Sequence, residues 1–295
     1  MDGFNRFTIY KNNAGKSFSL ATAKGLEKSD GWWNSIAGGD FDNDGDTDYI
    51  LGNLGLNSKL KASVNQPVTV YGKDFDDNGV FDPLLMVYNN GKEYLVHPRG
   101  ALIDQLIAMR KRFKSFKEYG ETVFENAIPE TDLKGAIKMQ AYCFESSYLE
   151  NKGSGSFLRK ALPIQAQFSP VYGVIVKDLN QDGNLDVLCV GNDYGTEVLT
   201  GRYDAGIGNY LVGDGKGNFQ NVSVTKSNFF VKGDARALVN ITLKNGDNLY
   251  LVSQINGKLQ TFKQRKNMAT ILKDRKRKEE IYIGSGYLSQ LSQSK

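Results

Sequence analysis

Histidine is almost missing from this chain: His97 is the only one in 295 residues, and cysteine occurs twice, as Cys143 and Cys189. A metal-hydrolase centre built on several histidines is excluded, and so is a zinc site made from paired cysteines. Cys189 lies in the apolar run Val187-Leu188-Cys189-Val190 and reads as a buried strand thiol rather than a disulfide partner or ligand. Proline is scarce, with 6 residues. No run approaches the roughly 18 apolar residues of a membrane-spanning helix. There is no Gly-x-Ser-x-Gly elbow and no phosphate-cradling glycine loop. Lys and Arg gather around 110–117 and 273–278, within a net charge of only +4. No nucleic-acid-binding motif surrounds them, so they read as solvated surface. The opening residues Met1-Asp2-Gly3-Phe4-Asn5-Arg6 lack the basic and then apolar stretches of a secretory leader. The chain is expected to be either cytoplasmic or one part of a longer protein.

What is abundant is glycine, at 32 residues, alongside 15 Tyr and 16 Phe in an ordinary globular composition. That mixture suggests short strands joined by tight turns. Three segments share one grammar: an apolar run, an acidic loop, then a β-rich run. Ile36-Ala37-Gly38-Gly39 leads into Asp40–Asp48 and Tyr49-Ile50-Leu51-Gly52-Asn53. Val68-Thr69-Val70-Tyr71 leads into Asp74–Asp82 and Leu84-Leu85-Met86-Val87-Tyr88. Gly173-Val174-Ile175-Val176 leads into Asp178–Asp186 and Val187-Leu188-Cys189-Val190-Gly191-Asn192. Short apolar runs bounded by Gly, Asn and Asp predict strands and hairpins.

Counted from its first residue, the first loop carries Asp40, Asp42, Asp44, Asp46 and Asp48 at alternate positions, with Gly45 at the sixth. Alternation turns every second side chain inward, and the glycine permits the positive φ that folds a loop around an ion. The second loop repeats this with Asp74, Asp76, Asn78 and Asp82 around Gly79; the third does so with Asp178, Asn180, Asp182, Asn184 and Asp186 around Gly183. The seventh position varies (Asp46, Val80, Asn184), which fits a ligand donated there by the backbone carbonyl. Hard oxygen donors without His or Cys select Ca²⁺ over zinc or copper, and Mg²⁺ suits such a loop less because it demands an octahedron. An EF-hand is excluded. It needs a bidentate Glu at the twelfth position, where these loops have Leu51, Leu85 and Cys189 inside apolar runs.

A decayed fourth unit is expected near Gly233-Asp234, where Ala235-Arg236-Ala237 replaces the rest of the acidic loop. An uneven repeat of tens of residues points to blades or a solenoid. Between the second and third units, Leu102, Leu106, Met109, Phe113 and Phe116 recur at helical spacing. They predict a helical insertion at about 98–150, with further helix in 118–128 and 131–142. It is read as a lid packed on a sheet edge or as a partner-binding element.

The string Gly39-Asp40-Phe41-Asp42-Asn43-Asp44-Gly45-Asp46-Thr47-Asp48 resembles the FG-GAP or VCBS-type repeat, also seen in integrin α-chain propellers. The tail Ile281-Tyr282-Ile283-Gly284-Ser285-Gly286-Tyr287-Leu288-Ser289-Gln290 is similar to the C-terminal region of ASPIC/UnbV-type proteins. The resemblance implies an all-β propeller with Ca²⁺ in its blade loops, exported to an extracellular, cell-surface or periplasmic location. It further implies that the chain is a C-terminal portion of a longer protein. The expected organisation is two blade loops in 1–97, the helical insertion, further blades in 151–265, and a tail at 266–295.

Candidates for chemistry outside the loops are few. His97 reads as a surface or hydrogen-bonded structural residue. Glu121, Glu125 and Glu145 are possible paired acids for glycoside cleavage but lie in predicted helix. Of the adjacent Trp32 and Trp33, one is expected in the core and the other is a possible sugar-stacking platform. Two functional readings result. One is a non-enzymatic binding or scaffold module for a protein or glycan; the other is a carbohydrate-active hydrolase or lyase.

Overall fold

The structure is a computed structural model that describes residues 4–264 together with the short strands at 282–284 and 289–291. The basic stretch at 273–278 lies outside the described residues, as does half of the tail compared above with ASPIC/UnbV proteins.

In chain order the elements are β1 (Tyr10–Asn12), β2 (Phe18–Leu20), β3 (Ser35–Gly39), β4 (Asp48–Gly52), β5 (Val68–Lys73), β6 (Asp82–Asn89) and β7 (Lys92–Leu95). Five short helices follow: α1 (Arg99–Gln105), α2 (Met109–Arg112), α3 (Phe116–Glu121), α4 (Phe124–Ala127) and α5 (Glu130–Leu133). Then come β8 (Ile137–Ala141), β9 (Ser147–Asn151), β10 (Phe157–Ala161), β11 (Val171–Lys177), β12 (Asp186–Gly191), β13 (Asn209–Gly213) and β14 (Phe219–Val222). A further helix α6 (Val224–Ser227) precedes β15 (Ala235–Thr242), β16 (Asn248–Gln254) and β17 (Gln260–Lys263), with β18 (Tyr282–Gly284) and β19 (Ser289–Leu291) last. The protein is mostly β, in several antiparallel sheets.

One sheet is the meander β11-β12-β13-β14, and another is β15-β16-β17. A third has the order β3-β4-β9-β10, so β4 pairs directly with β9, for example Ile50 with Tyr148. Everything from Asn53 to Ser146 is therefore inserted between the second and third strands of one meander. The insertion holds its own sheet, β8-β5-β6-β7, with the five helices between β7 and β8. The second acidic unit is thus nested inside the first.

The three meanders stand face to face, with β11 contacting both β3 and β15. Period-two alternation explains the continuous apolar run of β12. Val187 and Cys189 face Phe41, Ile50 and Tyr148 of one neighbouring sheet. Leu188 and Val190 face Leu238, Tyr250 and Val252 of the other. As expected, Cys189 is a fully buried free thiol, and burial pushes it up to about 12. The same alternation runs through β4 and β9, where Ile50 and Tyr148 point one way and Leu51 and Leu149 the other.

Backbones approach closely where these strands end. A Cβ on Gly52 would lie 2.3 Å from the Val171 carbonyl oxygen, and one on Gly191 would lie 1.6 Å from that of Pro170. The next residue is a buried asparagine in both cases. Asn53 donates to Cys143 O and accepts from Trp32 N–H. Asn192 donates to Gly206 O and Gly233 O. Each clamps the loop that leaves its sheet.

The helical prediction holds for Arg99–Leu133, but 137–141 and 147–151 are strands. Their backbone groups are taken by β5 and β4, and long-range pairing overrides local helical preference there. Leu102, Leu106 and Phe113 are buried with Leu84 and Met86 of β6, as the stripe predicts. Phe116 is not buried; it is 72% exposed. Helix α2 ends at Arg112, the Phe113 carbonyl that follows is taken by the Arg99 guanidinium, and Ser115 caps α3, which resets the register.

Candidate metal-binding loops

The three acidic loops fold alike, and they do so through their own backbones. The first carboxylate accepts from the N–H groups of the fifth and sixth residues. Asp44 and Gly45 donate to Asp40 at 3.2 and 3.1 Å, Asn78 and Gly79 to Asp74 at 3.0 and 2.7 Å, and Asp182 and Gly183 to Asp178 at 3.2 and 3.0 Å. The ninth carboxylate accepts from the N–H of the second residue: Phe41 to Asp48 at 3.2 Å, Phe75 to Asp82 at 3.0 Å and Leu179 to Asp186 at 3.0 Å. The fourth residue is left-handed in every loop (Asn43, Asp77, Gln181), and the glycine at the sixth has φ of 92, 85 and 90°. Nothing stands within 4 Å of where a Cβ would be at Gly45, Gly79 or Gly183, so conformation rather than space demands glycine.

Oxygens of Asp40, Asp42 and Asp48 come within 4.8 Å of one another, and so do those of Asp74, Asp76 and Asp82. At that separation each pair of carboxylates repels by about 1 kcal/mol even in water. Asp44 and Asp46 lie outside the first trio; Asp44 accepts from Asp46 N–H at 3.0 Å. Asn78 turns back to accept from Val80 N–H at 2.7 Å, which leaves the Val80 side chain exposed. Among the described residues no third trio of carboxylates forms. In the third loop the third position is Asn180, whose amide donates to Asp182 at 2.8 Å, and Asp182 in turn accepts from Asn184 N–H.

The electrostatics of the loops differ. Desolvation, then the negative charges of Asp48 and Asp44, hold the Asp42 carboxyl above the ordinary carboxylate range. Asp46 is raised by desolvation and then by Asp44. The Gly79 N–H holds Asp74 below that range. Asp46 Oδ1 is enclosed and has no hydrogen-bond partner. An all-oxygen donor set with converging carboxylates and one enclosed, unpartnered oxygen fits a hard divalent cation.

The ninth carboxylates Asp48, Asp82 and Asp186 are fully buried, and their remaining bonds anchor each loop to its surroundings. Asp48 accepts from Tyr148 OH and Asn151 N–H, both at 2.7 Å. Asp186 accepts from Tyr210 OH at 2.9 Å and Gly213 N–H at 3.0 Å. The tyrosine lies on the third strand in both sheets, and the N–H belongs to the residue three places on. Sequence reasoning missed this pair, although Tyr148-Leu149 with Gly153-Ser154-Gly155-Ser156-Phe157 repeats the spacing of Tyr210-Leu211 with Gly215-Lys216-Gly217-Asn218-Phe219. In the inserted sheet Gln105 Nε2 of α1 takes that place, donating to Asp82 Oδ1 at 3.0 Å. The first and third loops also touch: Asn43 Nδ2 donates to Asn184 Oδ1 and to Gly215 O, both at 3.3 Å.

The expected fourth loop is not at Gly233-Asp234, which precede β15 rather than follow it. The hairpin in the equivalent place is the shorter turn Leu243–Asp247 between β15 and β16. Its Asp247 pairs with Lys263 at 2.7 Å, and Asp234 pairs with Arg236 at 3.0 Å. Fixed cations serve these acids.

Of the other candidates, Glu121 and Glu125 lie exposed on α3 and α4, and the rest are engaged within the fold. His97 Nε2 accepts from Leu85 N–H at 3.4 Å, and burial lowers its basicity. Glu145 is paired with Arg159 at 2.9 Å and precedes β9 instead of lying in a helix. Neither tryptophan is a free platform: Trp32 packs on Phe4 and Phe144, and Trp33 packs on Phe7 while donating to Ser29 O at 2.8 Å. The two rings, in the segment that leads into β3, pack into different clusters, Trp32 with Leu54 and Phe144 and Trp33 with Leu26 and Leu51. Among the described residues no helix is long and apolar enough to cross a membrane.

No curated protein is matched by the chain. Residues 2–51 match the family model of the FG-GAP-like repeat, so the first acidic loop, with the strand that enters it, lies in a segment similar to a repeat of that type.

Proposed function

We propose that this protein is a calcium-stabilised FG-GAP-type binding module: β-propeller blades whose acidic loops hold Ca²⁺ and whose exposed surfaces engage a protein or glycan outside the cytoplasm. The convergence of Asp40, Asp42 and Asp48 within 4.8 Å, in a loop already locked by its own N–H groups, carries the reading. Asp40, Asp42, Asp44, Asp46 and Asp48 form the first ligand set. Asp74, Asp76, Asn78, the Val80 carbonyl and Asp82 form the second, and Asp178, Asn180, Asp182, Asn184 and Asp186 the third. Bound Ca²⁺ supplies positive charge that cancels the repulsion among these groups. The role is structural, because each ninth carboxylate also ties its loop to the sheet or helix behind it. Three meanders packed through their first strands are consistent with successive blades. Of the candidate glutamates, Glu145 is neutralised by Arg159, and Glu150 on β9 is paired with Lys152 and Lys160, which favours the binding module over a glycoside hydrolase or lyase.

Thermal unfolding in EDTA and then in millimolar Ca²⁺ tests this, with Asp42→Ala and Asp182→Ala beside the parent. With dissociation constants around 10⁻⁴–10⁻³ M, each site adds roughly 0.4–1.4 kcal/mol at millimolar calcium. The midpoint is expected to rise by several degrees, and each substitution to remove part of the rise. A parent midpoint indifferent to Ca²⁺ sinks the reading.

A further inference from the structure

The second loop is tied to the helices at both of its ends. At its entry, Lys73 Nζ donates to Asp132 O at 2.9 Å and Lys134 O at 3.3 Å, at the end of α5. At its exit, Asp82 Oδ1 accepts from Gln105 at the end of α1, while Asp82 itself converges with Asp74 and Asp76. Helix α1 is seated by Leu102 and Leu106 on Leu84 and Met86, the inward-facing residues that follow Asp82 along β6. The ninth carboxylates of the other two loops are held by strand tyrosines and backbone N–H groups, which are parts of the sheet itself. We infer that Gln105 is a positioning residue that couples cation binding in the second loop to the docking of α1–α5, making the helical face calcium-responsive. This rests on the calcium reading above. The physical reason is reciprocity: a side chain that orients a ligand raises affinity for the ion, and the ion then favours by the same factor the state in which that side chain is docked.

The test is hydrogen exchange of the whole chain, followed by mass spectrometry with and without Ca²⁺. Calorimetric Ca²⁺ titrations are run alongside on the parent, Asp42→Asn, Asp76→Asn and Gln105→Met. Asp76 is exposed, so its replacement leaves the fold intact, and Met keeps the length of Gln105 without its donor. Ca²⁺ is expected to slow exchange across 99–133 in the parent and in Asp42→Asn, but not in Asp76→Asn. Gln105→Met is expected to weaken one site roughly tenfold and leave the others unchanged. If Ca²⁺ binds the loops but exchange in the helices does not respond, or Gln105→Met binds like the parent, the coupling is wrong while the calcium reading stands. If no heat and no protection appear anywhere, the calcium reading itself falls and takes the coupling with it.

Discussion

Asp48 and Asp82 occupy the same position of the same loop, yet different parts of the molecule hold them. Asp48 opens β4 and is fixed by Tyr148 and Asn151 of the next strand in its own sheet. Asp82 opens β6 and is fixed by Gln105, a residue of a helix laid across the inserted sheet. The loop motif is therefore a portable unit: its internal bonds are local, while its anchorage is whatever the surrounding fold supplies. In a meander the anchorage is the third strand, so loop and sheet stand or fall together. In the insertion the anchorage is a set of short helices that bury one face on β6, with Tyr71 of β5 and Leu95 of β7 at its margins.

The largest expected effect separates the two regions. Phe113→Ala removes a fully buried ring from the helical face and should cost about 3–5 kcal/mol. Exchange should quicken in 99–133 while β11–β14 stay protected; equal loss in both regions would mean that the insertion is not a separate unit. Next, Asp48→Ala strands three donors, two of them buried, and should cost about 3–4 kcal/mol in urea unfolding, against about 2 kcal/mol for Asp82→Ala, which strands two that are half-buried. Reversal of that order would show that the helical anchorage is the stronger. Tyr148→Phe and Tyr210→Phe should each cost about 1 kcal/mol and match one another, because the two hydroxyls play one role in two sheets.

The smallest effect is one of pH. Burial depresses His97 in the folded state below its ordinary 6.5, so the unfolded chain binds the proton more tightly. The stability it contributes is complete above that value and is lost as pH falls through it towards the folded pKa. His97→Gln should flatten that part of the stability curve, and a parent curve already flat there would contradict the assignment.

Legibility divides along the same line. The loop interiors could be read because each is closed by bonds among neighbours in sequence, and glycine at the sixth position with carboxylates at alternate places marks them; the left-handed fourth residue was not foreseen. The double-sided burial of β12 was legible too, since Val187-Leu188-Cys189-Val190 has no polar residue to turn outward. The helical stripe was half legible. Leu102, Leu106 and Phe113 obey it, but the Ser115 cap that resets the register before Phe116 is a break that periodicity alone does not reveal. Gly233-Asp234 misled because two residues carry too little pattern to fix a register. The pairing of β4 with β9 had no local signature, and neither did the bond from Gln105 to Asp82, whereas the Tyr148 bond to Asp48 left a trace only in the repeated spacing it shares with Tyr210.

By itself, then, the sequence determined the short strands, the acidic turns between them and the oxygen chemistry those turns offer, because each follows from residues a few places apart. Only the tertiary structure decided that one acidic unit sits inside another, and that a strand anchors the first and third loops while a helix anchors the second. Those choices are made by buried hydrogen bonds between distant residues, and no local pattern encodes which distant partner will be there.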